Sequence, residues 1–178
     1  MAARPAAANE APGSKEASNI MLGDGEQRSV KVIEVGTDAQ VRLAAPLFDQ
    51  YRVFYGQKAD LQASYEFLRE RWIARESVLF LAIADSGEAS GFVQLFPFFL
   101  TGPMRRFWVL NDLYVKPSGR RKGTARALMR RAERYASETG SAGLTLSTAI
   151  DNVNAQALYE SEGYVRDSLF FYYNRFLP

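Results

Sequence analysis

The sequence predicts an α/β fold in one domain, with strands and helices layered around a mixed sheet. Three observations lead there. Strand and helix patterns alternate through the second half of the chain, which favours parallel pairing across intervening helices. Two apolar runs earlier in the chain flank a turn sequence, which favours an antiparallel hairpin. The 178 residues, 47% of them hydrophobic and 24% charged, suit a single core of ordinary size.

The elements follow in order. Residues 1–29 are rich in Ala, Gly, Ser, Pro, Asn and Glu and lack apolar periodicity beyond Ile20-Met21-Leu22. They read as a disordered tail, so the folded domain is expected over residues 30–178. The alternation in Val30-Lys31-Val32-Ile33-Glu34-Val35 reads as a strand. Thr37-Asp38 can cap a helix carrying Val41, Ala44, Ala45, Leu47, Phe48 and Tyr51. Asp60 starts a second helical pattern, with Leu61, Tyr65, Leu68 and Trp72 on one side. Val78–Ala84 and Gly91–Phe99 are the apolar runs around Asp85-Ser86-Gly87-Glu88, and Phe107–Val115 is a further strand stopped by Pro117. From Arg121 to Tyr135 the residues Ala125, Leu128, Met129 and Ala132 recur at helical spacing, with Gly140 as the stop. Gly143–Ala149 reads as a strand, Asn152–Glu162 as a helix and Ser168–Phe176 as a final strand. Phe170-Phe171-Tyr172-Tyr173 has no polar alternation. It reads either as a strand covered on both faces or as the seam of a homodimer.

Composition excludes several chemistries. The chain has no Cys and no His, which removes thiol nucleophiles, zinc fingers, redox dithiols, disulfide scaffolds and a Ser-His-Asp relay. No metal is expected. A general base must then be a carboxylate, Lys, Tyr, a terminal amine or a relayed water. No stretch approaches the roughly 18 apolar residues of a membrane span, and the N-terminus has no apolar signal core. A cytoplasmic location and no membrane partner are the expectation.

Charge is unevenly placed. Residues 118–135 hold seven basic residues against one acidic, a net of +6, while the rest of the chain sums to −4. Lys122, Arg126, Arg130 and Arg134 step four residues at a time along one side of the predicted helix. Such a stripe is either a solvated face or a site for an anion. A nucleic-acid-binding module is the rival use, disfavoured by the acidic remainder and by the lack of interleaved aromatics.

The densest chemistry lies where Leu110-Asn111-Asp112-Leu113-Tyr114-Val115 leads through a short loop into Arg120-Arg121-Lys122-Gly123-Thr124-Ala125. Strand, tight turn and helix start make an anion cradle, because first-turn N–H groups lack intrahelical partners and carry the positive end of the helix dipole. Gly123 permits close backbone approach and the three basic side chains add full charges.

These residues also carry a resemblance. The Arg-x-x-Gly-x-Ala of residues 120–125 resembles the pyrophosphate motif of the GNAT superfamily of acetyl-CoA-dependent N-acetyltransferases. Asn152-x-x-Ala155-x-x-Leu158-Tyr159-x-x-x-Gly163-Tyr164 resembles the family's second motif, in the same order along the chain. The Leu-Asn-Asp-Leu-Tyr-Val strand is similar to that of the yeast histone-and-other-protein acetyltransferases, including D-amino-acid enzymes, and to the spermidine/spermine acetyltransferases. The latter carry Glu-Asp where this chain has Asn111-Asp112, so the residue usually cast as their base is missing.

The resemblance implies a single-domain fold with a mixed central sheet of about six to seven strands and helices on both faces. It implies that Arg120, Arg121, Lys122, Gly123, Thr124 and Ala125 hold the CoA pyrophosphate. Leu113, Tyr114 and Val115 then offer backbone groups to the acetyl carbonyl and pantetheine arm where a family bulge splays the strand. Asn152 either bonds the pantetheine arm or caps its helix. Tyr159 is the expected general acid for the leaving thiolate, or else a core tyrosine. Asp112, a carboxylate inside an apolar strand, is either a base for the acceptor ammonium or a structural anchor. The aromatics Tyr51, Phe54, Tyr55, Phe96, Phe98 and Phe99 either shape an acceptor pocket or, for most of them, belong to the core. The expected activity is acetyl transfer from acetyl-CoA to a primary amine: a small amine, polyamine or amino acid. A protein lysine or N-terminus as acceptor is the nearest variant, and a non-catalytic acyl-CoA sensor is another.

Overall fold

The computed structural model describes residues 30–177; the expected tail lies outside them. One compact unit ends at Thr145 and a second begins at Leu146. In the first unit, β1 (Lys31–Glu34), β2 (Val78–Ile83), β3 (Ala89–Leu100), β4 (Arg105–Val115) and β5 (Leu144–Thr145) lie in chain order across one sheet. Neighbours from β1 to β4 are antiparallel, and β5 runs parallel to β4. The sheet is mixed, as the hairpin and the alternating second half predict.

Helix α1 (Asp38–Phe54) starts at Thr37, whose hydroxyl accepts from the Gln40 N–H while the Gln40 side chain accepts from the Thr37 N–H. That reciprocal cap satisfies two otherwise orphaned donors. The buried stripe Val41, Ala44, Ala45, Leu47 and Phe48 packs with Leu68 of α2 (Leu61–Ile73) on Leu79, Leu81 and Phe92 of the sheet. The other face is covered by α3 (Thr124–Glu138), whose Leu128, Met129, Ala132 and Ala136 are buried. There Tyr135 meets Phe80 and Trp108 ring to ring, and the Trp108 indole N–H donates to Thr139 Oγ1 at 3.0 Å. Helices thus flank both faces of the unit's sheet.

Three strand expectations need correction. The six to seven strands reduce to five among the described residues. The strand expected over residues 143–149 forms only at Leu144–Thr145, paired with Trp108 and Val109. Two residues beyond Val109, β4 enters a bulge at Asn111, and a regular ladder cannot continue past it. The second unit holds α4 (Val153–Ser161), capped by the Asn152 carboxamide accepting from Ala155 N at 3.3 Å. The final strand expected over residues 168–176 is absent; the segment is irregular. There the Asp167 carboxylate accepts from the Leu169 and Phe170 N–H groups, a local turn that competes with strand pairing.

Candidate active site

The site begins with one extra residue in β4. Leu95 pairs with Leu110, but the next residue back along β3, Gln94, pairs with Asp112. Asn111 is left over as a β-bulge. Side chains alternate along a strand, so an unbulged β4 would put Asp112 on the face of Trp108 and Leu110, beneath α3. The bulge resets the alternation. Asp112 and Tyr114 come to lie opposite Gln94 and Phe92, on the face covered by α1. The bulge also ends the pairing with β5, and the β5-side edge of β4 from Leu110 to Val115 has no strand partner among the described residues.

Asp112 is 6% exposed. Burial pushes its carboxyl above the ordinary carboxylate range, against hydrogen bonds from Asn111 and Tyr51 that favour the charged form. The Asn111 carboxamide donates to Asp112 Oδ2 at 3.1 Å. Beyond it, the Tyr114 hydroxyl reaches Gln50 Oε1 of α1 at 3.4 Å. Tyr51 stands edge-on to Phe92, Tyr114 and Tyr55. Of the six aromatics singled out in the sequence, Phe54, Tyr55, Phe98 and Phe99 are exposed, so most are not core. Tyr51 is the one that reaches the carboxylate. Gln94, Ser77 and Gln50 carried no sequence signal, because only the bulged register brings Asp112 and Tyr114 to their face.

From Val115 the chain turns through a 3-10 turn, Pro117–Gly119, into α3. The helix begins at Thr124, three residues later than the apolar spacing suggests, because Arg121 and Gly123 both take left-handed backbone conformations, with φ of +57° and +79°. Gly123 is the N-cap and offers no side chain to the first-turn N–H groups. A Cβ placed on it would meet nothing within 4 Å. An open, left-handed residue before an uncapped helix start presents backbone donors to an anion. Arg121 and Lys122 are exposed beside it.

Three side chains of this segment are held by the fold itself. The Thr124 side chain is buried and its hydroxyl donates to Gly119 O at 3.0 Å, so it anchors the loop and only its backbone faces the cradle. The Arg120 Nε donates to Val115 O at 3.0 Å, which ties the loop back to the end of β4. Arg131, a basic residue of segment 118–135 outside the stripe, is taken up by Glu34 and Glu138 and by the Phe80 ring, a structural use. Residues 112–115 and 120–125 are therefore gathered within the first unit. Asn152 and Tyr159 belong to the second, about two helical turns apart along α4. The Tyr159 ring lies tilted, 6.2 Å between centroids, against that of Tyr164, whose N–H returns to the Tyr159 carbonyl.

Comparison with known proteins gives a consistent picture. The profile of the acetyltransferase (GNAT) family matches residues 44–164. An uncharacterized N-acetyltransferase of Bacillus subtilis, YhfO, is 45% identical over 129 residues, 72% of this chain and 86% of that protein. A probable acetyltransferase of Haemophilus influenzae is 32% identical over 70% of this chain and 83% of its own length. A crystal structure of a probable acetyltransferase superposes with a TM-score of 0.78 at 38% identity, covering 83% of this chain and 98% of the other.

Proposed function

The chain belongs to the acetyltransferase (GNAT) family, and from that premise we propose that it acetylates a primary amine by direct attack in a ternary complex, with a small amine, polyamine or amino acid as acceptor. The observation that carries this reading is the bulge at Asn111. It leaves one edge of β4 unpaired and turns a buried carboxylate onto the sheet face beside it, directly ahead of an uncapped helix.

The chain's own groups fit acetyl-CoA. Backbone N–H groups of Gly123, Thr124 and Ala125, with Arg121 and Lys122, suit a pyrophosphate. The free edge of β4 at Leu113–Val115 suits the amide-bearing pantetheine arm and an acyl oxygen. Acetyl-CoA supplies an acetyl group already activated as a thioester. The protein then needs to position, polarise and move protons, which a chain without His or Cys can do.

An acceptor amine near pKa 10.4 arrives as an ammonium and must lose a proton before it attacks. Asp112 is the base in this reading. Its elevated pKa makes it a better proton acceptor than an ordinary exposed carboxylate, and its burial strengthens its attraction for a cation. Tyr159 is the acid that returns a proton to the thiolate, and Asn152 orders the helix that carries it. Thiol release from acetyl-CoA, measured across polyamines, D- and L-amino acids and lysine peptides, tests the reading. Turnover confined to primary amines supports it; no release with any amine refutes it.

A further inference from the structure

One buried polar atom has no role so far. Gln94 is 1% exposed, and its carboxamide nitrogen donates to Ser77 Oγ at 2.7 Å. Its Oε1 is sealed from solvent and accepts no hydrogen bond. Leaving such an acceptor empty is costly, so an unsatisfied one calls for a reason. Gln94 is the direct cross-strand partner of Asp112, on the same face of the sheet, where paired side chains stand about 5 Å apart at Cβ.

We propose that Gln94 is the positioning residue of the proton-accepting centre: its Oε1 takes the carboxylic O–H of Asp112 once that group has received a proton. The inference rests on Asp112 acting as the base. In the charged state the carboxylate is served by the donors Asn111 and Tyr51. On proton transfer, an N–H bond of the ammonium breaks and an O–H bond forms at an Asp112 carboxyl oxygen. The amine keeps its electron pair and the carboxyl becomes neutral. A neutral acid needs an acceptor for its hydrogen; the Asn111 nitrogen is none, and the Tyr51 hydroxyl would first have to reverse its donation. Gln94 Oε1 accepts without that rearrangement. Ser77 holds the amide through its nitrogen and leaves the oxygen unused, so the acceptor is set before the proton arrives.

Other groups near Asp112 do not serve this purpose. Tyr51 and Tyr114 are the titratable groups facing it from α1 and β4. The charged residues of α1 nearest in sequence to Tyr51 are already committed, Arg52 to Asp49 and both to Ser64 of α2. From β3 and the residue before β2 the facing polar groups are the neutral Gln94 and Ser77. No charged side chain among the described residues perturbs Asp112.

The test is the titration of Asp112 itself, followed by the carbon-13 shift of its carboxyl in the full chain without ligands. Gln94→Met keeps the volume and removes the acceptor. The neutral acid then loses its partner, and the Asp112 pKa falls by about one unit, the worth of one hydrogen bond. Gln94→Glu keeps an oxygen there and adds a charge, so the pair's upper titration moves above the wild-type value. A fall with Met and a rise with Glu, in variants whose thermal melting shows them folded, supports the proposal. An unchanged or higher value in Gln94→Met overturns it, because an amide that donates to the carboxylate would give that sign. Asp112→Asn turnover reads the base assignment separately. If Asp112→Asn stays active while the titration shifts occur, the base reading fails and the Gln94–Asp112 coupling stands.

Discussion

Two glycines of α3 allow backbone strain to be separated from ligand binding. Gly123 before the helix and Gly140 after it have φ of +79° and +66°, and a Cβ on either would meet nothing within 4 Å. Alanine at each site therefore incurs the same penalty, the left-handed backbone of a non-glycine residue, about 1–2 kcal/mol. A stiffer unfolded chain offsets part of it, by about 0.4–1 kcal/mol. A net loss near 1 kcal/mol lowers the melting temperature of a chain this size by about 2–4 °C in both variants. Only at Gly123 does the new methyl enter the proposed pyrophosphate cradle. Displacing one charge-assisted N–H contact costs about 1.5–3 kcal/mol, so the affinity for CoA falls about tenfold or more. Calorimetric titration of CoA into wild type, Gly123→Ala and Gly140→Ala reads the difference. Equal affinities in the two variants would refute the placement of the pyrophosphate at the start of α3.

Further expectations concern the carboxylate and the acid. Asp112→Asn lowers turnover about a hundredfold or more, as loss of a general base does, yet melts no lower than wild type at neutral pH. The sign follows from linkage: a carboxyl whose folded pKa is raised costs stability above that pKa, and the cost disappears as pH falls through it. The melting difference between variant and wild type should accordingly close between the raised value and the ordinary carboxylate range. Asn111→Ala removes a donor to the charged form, so the Asp112 titration and the acidic limb of turnover move to higher pH. Tyr159→Phe slows turnover while CoA affinity stays close to wild type, which stopped-flow and calorimetric titration resolve.

Much of this fold is legible in the sequence because its elements carry strong local signals. Thr37 with Gln40, Asp60 and Asn152 each cap a helix where their types suggest, and α3 buries the apolar stripe seen in its spacing. The cradle was legible for the same reason, since Gly123 and its basic neighbours are consecutive in the chain. What the sequence hides is register. No residue type announces that Asn111 is skipped, yet that slip decides which face Asp112 occupies and which neighbours it meets. Gln94 and Ser77 look like ordinary strand polars until β3 and β4 are aligned. The aromatic run Phe170–Tyr173 misled for the converse reason: strand propensity without a partner strand gives no strand.

The most direct measurement is initial-rate thiol release with acetyl-CoA and amine varied together. Direct transfer in a ternary complex predicts double-reciprocal lines that intersect, and no thiol released before amine is added. Parallel lines, or a burst of thiol from acetyl-CoA alone, would require an acetylated enzyme and would contradict direct attack by the amine.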